Sequence, residues 1–540
     1  MTDCPKASPA PIPPTRAARM MGAATAASRG IGFVRIWVVA TVLGTTYLGN
    51  TYQSSSAVSN VLFELLAAGA LSAVLVPTFV RHLELGNDAE AERLASGVLG
   101  LALTVLGVVA VIGFITAPQI GELISSGAPT AQLRDQQQIL ATFLTRFFVF
   151  QVLLYAVGTV ATAVLYAKRH FVAPAMAPIA NTVAVVSSLI VFRVLAGPQP
   201  TLDLTATERL VLALGGTLGV IGFVGVPVIA LARTGFKLRP RLGRPDSELL
   251  GLVKLSTWAV LQHAGIGILL ATAMVMGNQV EGGVIAYQFA FVAVMAPYAI
   301  LAQPVHTTIL TELSGDAARG DLSRFATQLR WALDNMALLI VPVSAAAVAL
   351  ALPFMRVIAV GPSKGGAGVL AAALASLALG LFPFSTFLLF ARASYALGDS
   401  KTPALVALFT ALVGAGAMVA IGSMLHGDAR VAALGLGHTL AYTLGSIVLG
   451  LILRRRLGHP IFPLALPRSA LIAGAFAGAA WLVHQQIEPN DRGEAFLFLT
   501  IIGLVGGGLY LAVWRATRRR LRALQTLQPR KSGPKSGPQA

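Results

Sequence analysis

Charge of either sign is scarce in this chain, and acidic charge is scarcest. Its 540 residues include 22 Asp and Glu against 40 Lys and Arg, so that charged residues make up 11%. A soluble domain carries roughly 25%, and the shortage excludes one here. Cysteine is nearly missing as well. The single Cys4 leaves no partner for an internal disulfide and no cysteine-built metal site. HExxH, Walker A and GxSxG signatures are all lacking, so the sequence points to no metalloprotease, nucleotide hydrolase or serine hydrolase. The expectation is a protein that is not an enzyme and takes no cofactor.

What the chain has in abundance is apolar sequence. It is 56% hydrophobic with a mean hydropathy of +0.75. Apolar runs fall at about 22–47, 52–80, 95–124, 137–167, 171–197, 208–232, 250–276, 282–311, 327–358, 366–396, 402–425, 431–453, 465–484 and 494–514. About 20 apolar residues cross a bilayer, so the sequence predicts an all-α polytopic membrane protein with about 14 spans. Polar residues interrupt the fourth and eighth. Residues 1–20 form a Pro/Ala-rich leader expected to be disordered, without the apolar stretch of a signal peptide. Residues 519–540 form a basic tail, also expected to be disordered.

The net charge is +18, but the basic residues sit between apolar runs, which favours a membrane role and argues against a nucleic-acid partner. With the N-terminus placed in the cytoplasm, the inside segments and adjoining helix ends hold about 31 of the 40 Lys and Arg. The outside segments hold about 7: Arg134, Arg193, Arg209, Arg356, Lys364, Arg430 and Arg492. This is the asymmetry of the positive-inside rule. It predicts a multi-pass protein of the cell membrane with both termini cytoplasmic.

A weak repeat runs through the chain. Tyr166-Ala167 followed by Pro174-Ala175 recurs as Tyr395-Ala396 followed by Pro403-Ala404. Each copy ends one span and opens the next with proline, which suits a first helical turn. The copies are six spans apart and share one orientation, so they predict two parallel six-helix lobes. These are an N-lobe over 21–232 and a C-lobe over 250–453, with two further helices in 465–514.

Polar groups inside spans are the candidates for function. The stretch Ser28-Arg29-Gly30-Ile31-Gly32-Phe33-Val34-Arg35 puts two arginines into the start of the first span. Each costs roughly 2.5–3.5 kcal/mol at a bilayer centre unless it meets water, a counter-charge or an anion. Snorkelling to cytoplasmic headgroups is the bland alternative for Arg29. Asn60 and Glu64 share a face of the second span, where Glu64 could pair with Arg35, bind ligand or titrate. Arg146 and Arg392 are further cavity candidates in the fourth and tenth spans. Gln262, His263, Asn278, Gln303, His306, Asp334 and Asn335 read as hydrogen-bonding groups between helices.

These residues carry a resemblance. Residues 28–35 are similar to the SRxxGFxR opening of MviN/MurJ-type proteins, the lipid II flippases of the MOP exporter superfamily. Asn60, then Gly69-Ala70-Leu71-Ser72 and Val76-Pro77, resembles that family's second-helix pattern, and Arg392 through Pro403 its RxxYAxxDxxTP turn. The resemblance covers about 20–515, nearest the actinobacterial branch. It implies 14 helices, two six-helix lobes and a central cavity that alternates between the membrane faces. It also implies passage of an undecaprenyl-pyrophosphate-linked peptidoglycan precursor, lipid II, with Arg29 and Arg35 as cavity arginines. Arginine suits a pyrophosphate because its planar fork makes bidentate charge-assisted bonds.

The pattern also has departures. Asn50 stands where studied members have Asp, Phe63 where they have Arg, and Phe291-Val292 where they have an Asp-Arg pair. Segments 250–276 and 402–425 hold no carboxylate. The expected partners are a polyprenyl-pyrophosphate-linked substrate and membrane lipids, with the protein a monomer. Two other readings stand beside flipping of lipid II. One is a same-fold exporter of another lipid-linked glycan or amphipathic drug. The other is a non-transporting scaffold that recruits cell-wall synthesis proteins through the basic tail.

Overall fold

An apolar segment in hydrocarbon must pair its backbone groups within itself, which favours helix. The computed structural model describes residues 30–63, 69–241, 247–487, 489 and 491–526, and among them there is helix and no strand. Arg29, Glu64, the 1–20 leader and the 527–540 end of the tail lie outside the described residues. Among the described residues, twelve helical segments are long and apolar enough to cross a membrane. Two more follow the same course, the shorter apolar helix α1 (Gly30–Leu43) and the pair α2 (Tyr47–Phe63) and α3 (Gly69–Glu84). With them the count stands at about fourteen.

The remaining N-lobe helices are α4 (Asp88–Ile115), the short α5 (Ala117–Ser125), α6 (Ala131–Phe148) running on into α7 (Gln151–Ala167), α8 (Val172–Ala196) and α9 (Ala206–Ala232). The C-lobe begins with α10 (Ser247–Gly277). Then come α11 (Gly283–Pro297), a π-helical turn at Tyr298–Ala302, α12 (Gln303–Ala318), α13 (Leu322–Ala349) and α14 (Ala351–Ile358). It closes with α15 (Ala367–Leu379), α16 (Leu381–Ala396), α17 (Lys401–Met424) and α18 (Gly427–Leu457). Two last helices, α19 (Leu466–Ile487) and α20 (Arg492–Thr526), pack on α13 and α14. Helix continues through 519–526, so the segment expected to be a disordered tail begins as a helix.

The polar interruptions of the fourth and eighth spans leave marks. The fourth passes through a short break between Phe148 and Gln151. The eighth contains the π turn just before Pro304, whose ring nitrogen donates no ladder hydrogen bond. The first span ends at Leu43 because Gly44 takes φ +76°, a left-handed conformation that only glycine adopts at little cost. Membrane-facing sides stay apolar. Val108, Val111, Ile112 and Ile115 of α4 and Leu497, Ile501, Leu504 and Val505 of α20 are all exposed.

The repeat extends into the backbone. After Tyr166, the Arg169 N–H donates to Tyr166 O at 3.0 Å and the His170 N–H to Leu165 O at 2.8 Å. After Tyr395, Gly398 donates to Tyr395 O at 2.9 Å and Asp399 to Ser394 O at 2.9 Å. Both are the double closure of a Schellman motif. The turns at Gly86 and Gly320, again six spans apart, close in the same way. Gly86, Gly320 and Gly398 fill the left-handed position with glycine; Arg169 fills it at φ 62°.

The lobes meet along α3 and α10 and again where α2 approaches α11. At the second contact, near Gly282 (φ +71°), a Cβ on that glycine would fall 2.5 Å from Thr45. Only a bare backbone fits there.

Candidate functional site

Arg35 is half-buried in α1, and its Nη1 donates to Asn181 Oδ1 of α8 at 3.0 Å. Among the described residues no carboxylate lies within ion-pair distance of it. Asn60 of α2 accepts a 3.0 Å hydrogen bond from the Tyr155 hydroxyl of α7. The Tyr155 ring stands edge-on to Phe223 of α9, with centroids 6.2 Å apart. The field of Arg35 reaches both Tyr155 and Tyr52. Four helices of the N-lobe thus gather Arg35, Asn181, Asn60 and Tyr155 into one polar cluster.

Neighbouring groups extend the cluster. Ser59 Oγ donates to Gln151 Oε1 at 3.2 Å, and Gln151 Nε2 donates to Thr217 Oγ1 at 3.3 Å. Neutral donors and acceptors satisfy one another here, which is the condition for burying them in an apolar bundle. Of the five N–H donors of the guanidinium, one is used on Asn181, and among the described residues the other four have no hydrogen-bonded acceptor. An anion is the natural complement of such a group.

The other candidates stand apart from this cluster. Arg146 is exposed on the face of α6 opposite the one packed on α2, with its guanidinium over the Phe114 ring, 5.3 Å from the centroid. Arg392 belongs to α16 in the C-lobe, where its field reaches His306 and Tyr395. The Tyr395 hydroxyl donates to the Gln262 side-chain oxygen of α10. His306 is fully buried next to Tyr298, and its Nε2 has no hydrogen-bond partner among the described residues. Asn278 does act between helices: its Nδ2 donates to Ser54 Oγ at 2.7 Å and its Oδ1 accepts from Gln137 Nε2 at 3.4 Å.

Asn50 joins the lobes. It is fully buried at the start of α2. Its Nδ2 donates to Val280 O at 2.7 Å, while its Oδ1 accepts from the N–H groups of Val284 at 3.0 Å and Ile285 at 3.4 Å. One side chain so satisfies orphan donors at the α11 N-terminus and a carbonyl of the preceding turn. The carboxamide fits because that carbonyl needs a donor, which an ionised Asp lacks. Nearby, Arg430 Nη1 donates to Gln279 Oε1 at 3.0 Å, the Trp37 indole donates to Ile358 O at 2.9 Å and Ser363 Oγ donates to Ala40 O. Each of these hydrogen bonds runs to a neutral acceptor, and those of Trp37 and Ser363 cross between the lobes.

Two lobes of membrane helices, one of them holding a half-buried arginine with no carboxylate partner among the described residues, are the architecture of a polytopic transporter of the MOP type. The solved structures it is similar to agree. A lipid II flippase MurJ in an inward closed conformation matches with a TM-score of 0.73 at 18% identity, covering 93% of this chain and 99% of that one. An inward-facing multidrug resistance MATE family transporter of the MOP superfamily matches with a TM-score of 0.62 at 14% identity, covering 80% and 94%. At these identities the likeness concerns fold alone. The family model for lipid II flippase MurJ matches residues 39–502, and the chain belongs to that family. Among its relatives, probable lipid II flippases MurJ of Rhizobium tropici and Rhizobium meliloti are 24% and 25% identical. The first alignment covers 90% of both chains, the second 91% of this chain and 92% of the relative.

Reading the sequence alone passed over Asn181 and Tyr155, the partners of Arg35 and Asn60. An Asn inside the apolar run 171–197 was a usable signal, since an amide in hydrocarbon needs a partner. Tyr155 carried none, because tyrosine is common in apolar helices. Asn50 drew notice only as a departure from the family's Asp; its contact with a turn 230 residues away is a property of the fold.

Proposed function

We propose that this protein is a flippase that carries lipid II across the cell membrane by alternating access. Both termini are cytoplasmic in this reading, as the Lys and Arg asymmetry indicates. Arg35, with Arg29 before it, holds the pyrophosphate. Asn181 and the Asn60–Tyr155 pair border the path of the headgroup while the polyprenyl tail stays in lipid. Rocking of the lobes about the α3–α10 and α2–α11 contacts exchanges access between the two faces. The observation that carries the proposal is the guanidinium of Arg35, half-buried in the bundle and partnered, among the described residues, by a neutral amide. Hydrogen bonds to a charged group contribute about 1.5–3 kcal/mol, so loss of Arg35 should weaken pyrophosphate binding roughly ten- to a hundredfold.

The test is rescue of a strain depleted of its essential lipid II flippase. Rescue by this chain, abolished by Arg35→Ala with the protein still in the membrane, is the expected result. Failure of the wild-type chain to rescue although it is present in the membrane, with lipid II staying inaccessible from outside, overturns it. Phe63, Phe291 and Val292, standing where studied members carry charge, favour a second reading: export of a different lipid-linked glycan. Competition between polyprenyl-pyrophosphate lipids for the purified protein separates the two.

A further inference from the structure

A groove of about 710 Å³ opens on the outer side of the N-lobe, away from the Arg35 cluster. Its walls include Phe114 of α4, Phe143 and Phe147 of α6, and Phe150, and two arginines, Arg146 and Arg209, reach into it. The volume lies in the range of small-ligand sites, about 300–1,000 Å³. Among the described residues neither arginine has an ion pair. Arg209 donates through Nε to Leu204 O at 3.0 Å, which leaves its terminal nitrogens for the groove. Arg146 lies over the Phe114 ring and makes no hydrogen bond to any described residue. The neighbouring Glu208 is engaged elsewhere, accepting from the Thr205 N–H in the capping box that starts α9.

Depth in the membrane identifies the ligand class. Arg146 is 21 residues from Ala167, where the fourth span reaches the basic turn of Lys168 and Arg169. That is about 32 Å of helix rise. Arg209 is 24 residues from Arg233 at the same end of the bundle, about 36 Å. A hydrocarbon core is about 30 Å thick, so both guanidinium groups reach the headgroup level of the leaflet opposite the termini. Phe114, Ile139 and Phe150 are exposed beside them, continuous with the bare apolar face of α4. A soluble anion would use the arginines and ignore the phenylalanines; a lipid uses both.

We propose that this groove binds an anionic phospholipid of that leaflet. Its phosphate sits between Arg146 and Arg209, and its first acyl carbons lie on the phenylalanine wall. The site shares no residue with the Arg35 cluster, so it stands or falls independently of what the protein transports.

The single cysteine allows a local test. Cys4→Ser with Ile139→Cys, labelled with bimane, puts a fluorophore at the groove mouth of the full-length protein. Its quenching is followed in vesicles of increasing brominated phosphatidylglycerol and, separately, brominated phosphatidylcholine. Phosphatidylglycerol should quench at much lower mole fraction. Each basic group near an anionic surface contributes about fivefold, so Arg146→Gln with Arg209→Gln should remove roughly thirtyfold of that preference. The double lysine variant should keep most of it, which separates lost charge from a damaged fold. Equal quenching by the two lipids in the parent, or an unchanged preference in the glutamine variant, overturns the proposal. So does displacement of phosphatidylglycerol by undecaprenyl pyrophosphate at lower mole fraction, which would give the groove to a transported lipid.

Discussion

Asn50 and Val280 are 230 residues apart in the chain and joined by a 2.7 Å hydrogen bond across the two lobes. The same side chain accepts from Val284 and Ile285, so it ties α2 to the start of α11 from both sides of its amide. Asn50→Ala leaves those buried N–H groups unpaired, at a cost of about 1–3 kcal/mol. That cost falls on the arrangement in which this end is shut and should shift the population towards opening. Spin labels at Ser126 and Ser423, exposed on the two lobes at this end, should show longer distances in the variant. Asn50→Asp should fall between, since a carboxylate still caps α11 but meets the Val280 carbonyl without a donor. Unchanged distances in Asn50→Ala would remove the latch from the mechanism.

Arg35 and Asn181 give a second prediction. Asn181→Asp keeps the shape and turns a neutral acceptor into a counter-ion 3.0 Å from the guanidinium. A carboxylate there should hold Arg35 in a bidentate pair and neutralise it. Binding of undecaprenyl pyrophosphate should drop nearly as far as in Arg35→Ala. Asn181→Ala should bind within a few-fold of wild type. If the Asp variant binds as well as wild type, Arg35 does not hold the anion.

Much of this architecture was legible in the sequence because hydrocarbon imposes a simple code. Length and apolarity marked the spans, and the Tyr166 and Tyr395 pairs marked two turns that close with the same backbone bonds. The site was only partly legible. Arg35 announced itself by cost, since few residues are so expensive in a membrane. Arg146 and Arg392 carried the same signal, yet the fold places neither beside it. A helix presents every direction, and which direction faces the bundle depends on neighbours far away in the chain. On α6 the apolar Leu140, Ala141 and Leu144 turn inward, and Arg146 is carried outward with the opposite face.

The turn between α16 and α17 makes a pH-dependent contribution. Asp399 Oδ1 accepts from the Thr402 N–H at 2.9 Å, and Arg456 Nη1 approaches its Oδ2 at 3.4 Å. Partial burial pushes this carboxyl up, but the Thr402 backbone and hydroxyl, Arg456 and the Lys401 N–H outweigh it and hold it below its ordinary 3.8. The folded pKa therefore lies below the unfolded one. The stabilisation is present at neutral pH, begins to fall as pH drops below about 4, and is lost through the lowered value. Asp399→Ala should cost about 1 kcal/mol at pH 7, as for other lost caps. The gap to wild type should narrow at pH 3, read by unfolding in detergent at both pH values. A gap that is equal at both would assign the loss to packing rather than to the charge.

Arg169 occupies the position that Gly86, Gly320 and Gly398 occupy in the three matching turns. Its φ of 62° brings Cβ against the following carbonyl, which costs an L-residue roughly 1–2 kcal/mol. Arg169→Gly removes that strain while adding some freedom to the unfolded chain, which offsets part of the gain. Among the described residues the side-chain ion pair forfeited is the 3.6 Å one with Glu84, and both partners are largely exposed; such pairs contribute about 0–1 kcal/mol. The net expectation is a stabilisation of about 0.5 kcal/mol. The reciprocal change, Gly398→Ala, has no strain to relieve and should destabilise by about 1 kcal/mol or more. Denaturant unfolding of the two variants should therefore move in opposite directions from wild type. Movement in the same direction would mean that the two turns, alike in hydrogen bonding, are not equivalent in the energetics of the repeat.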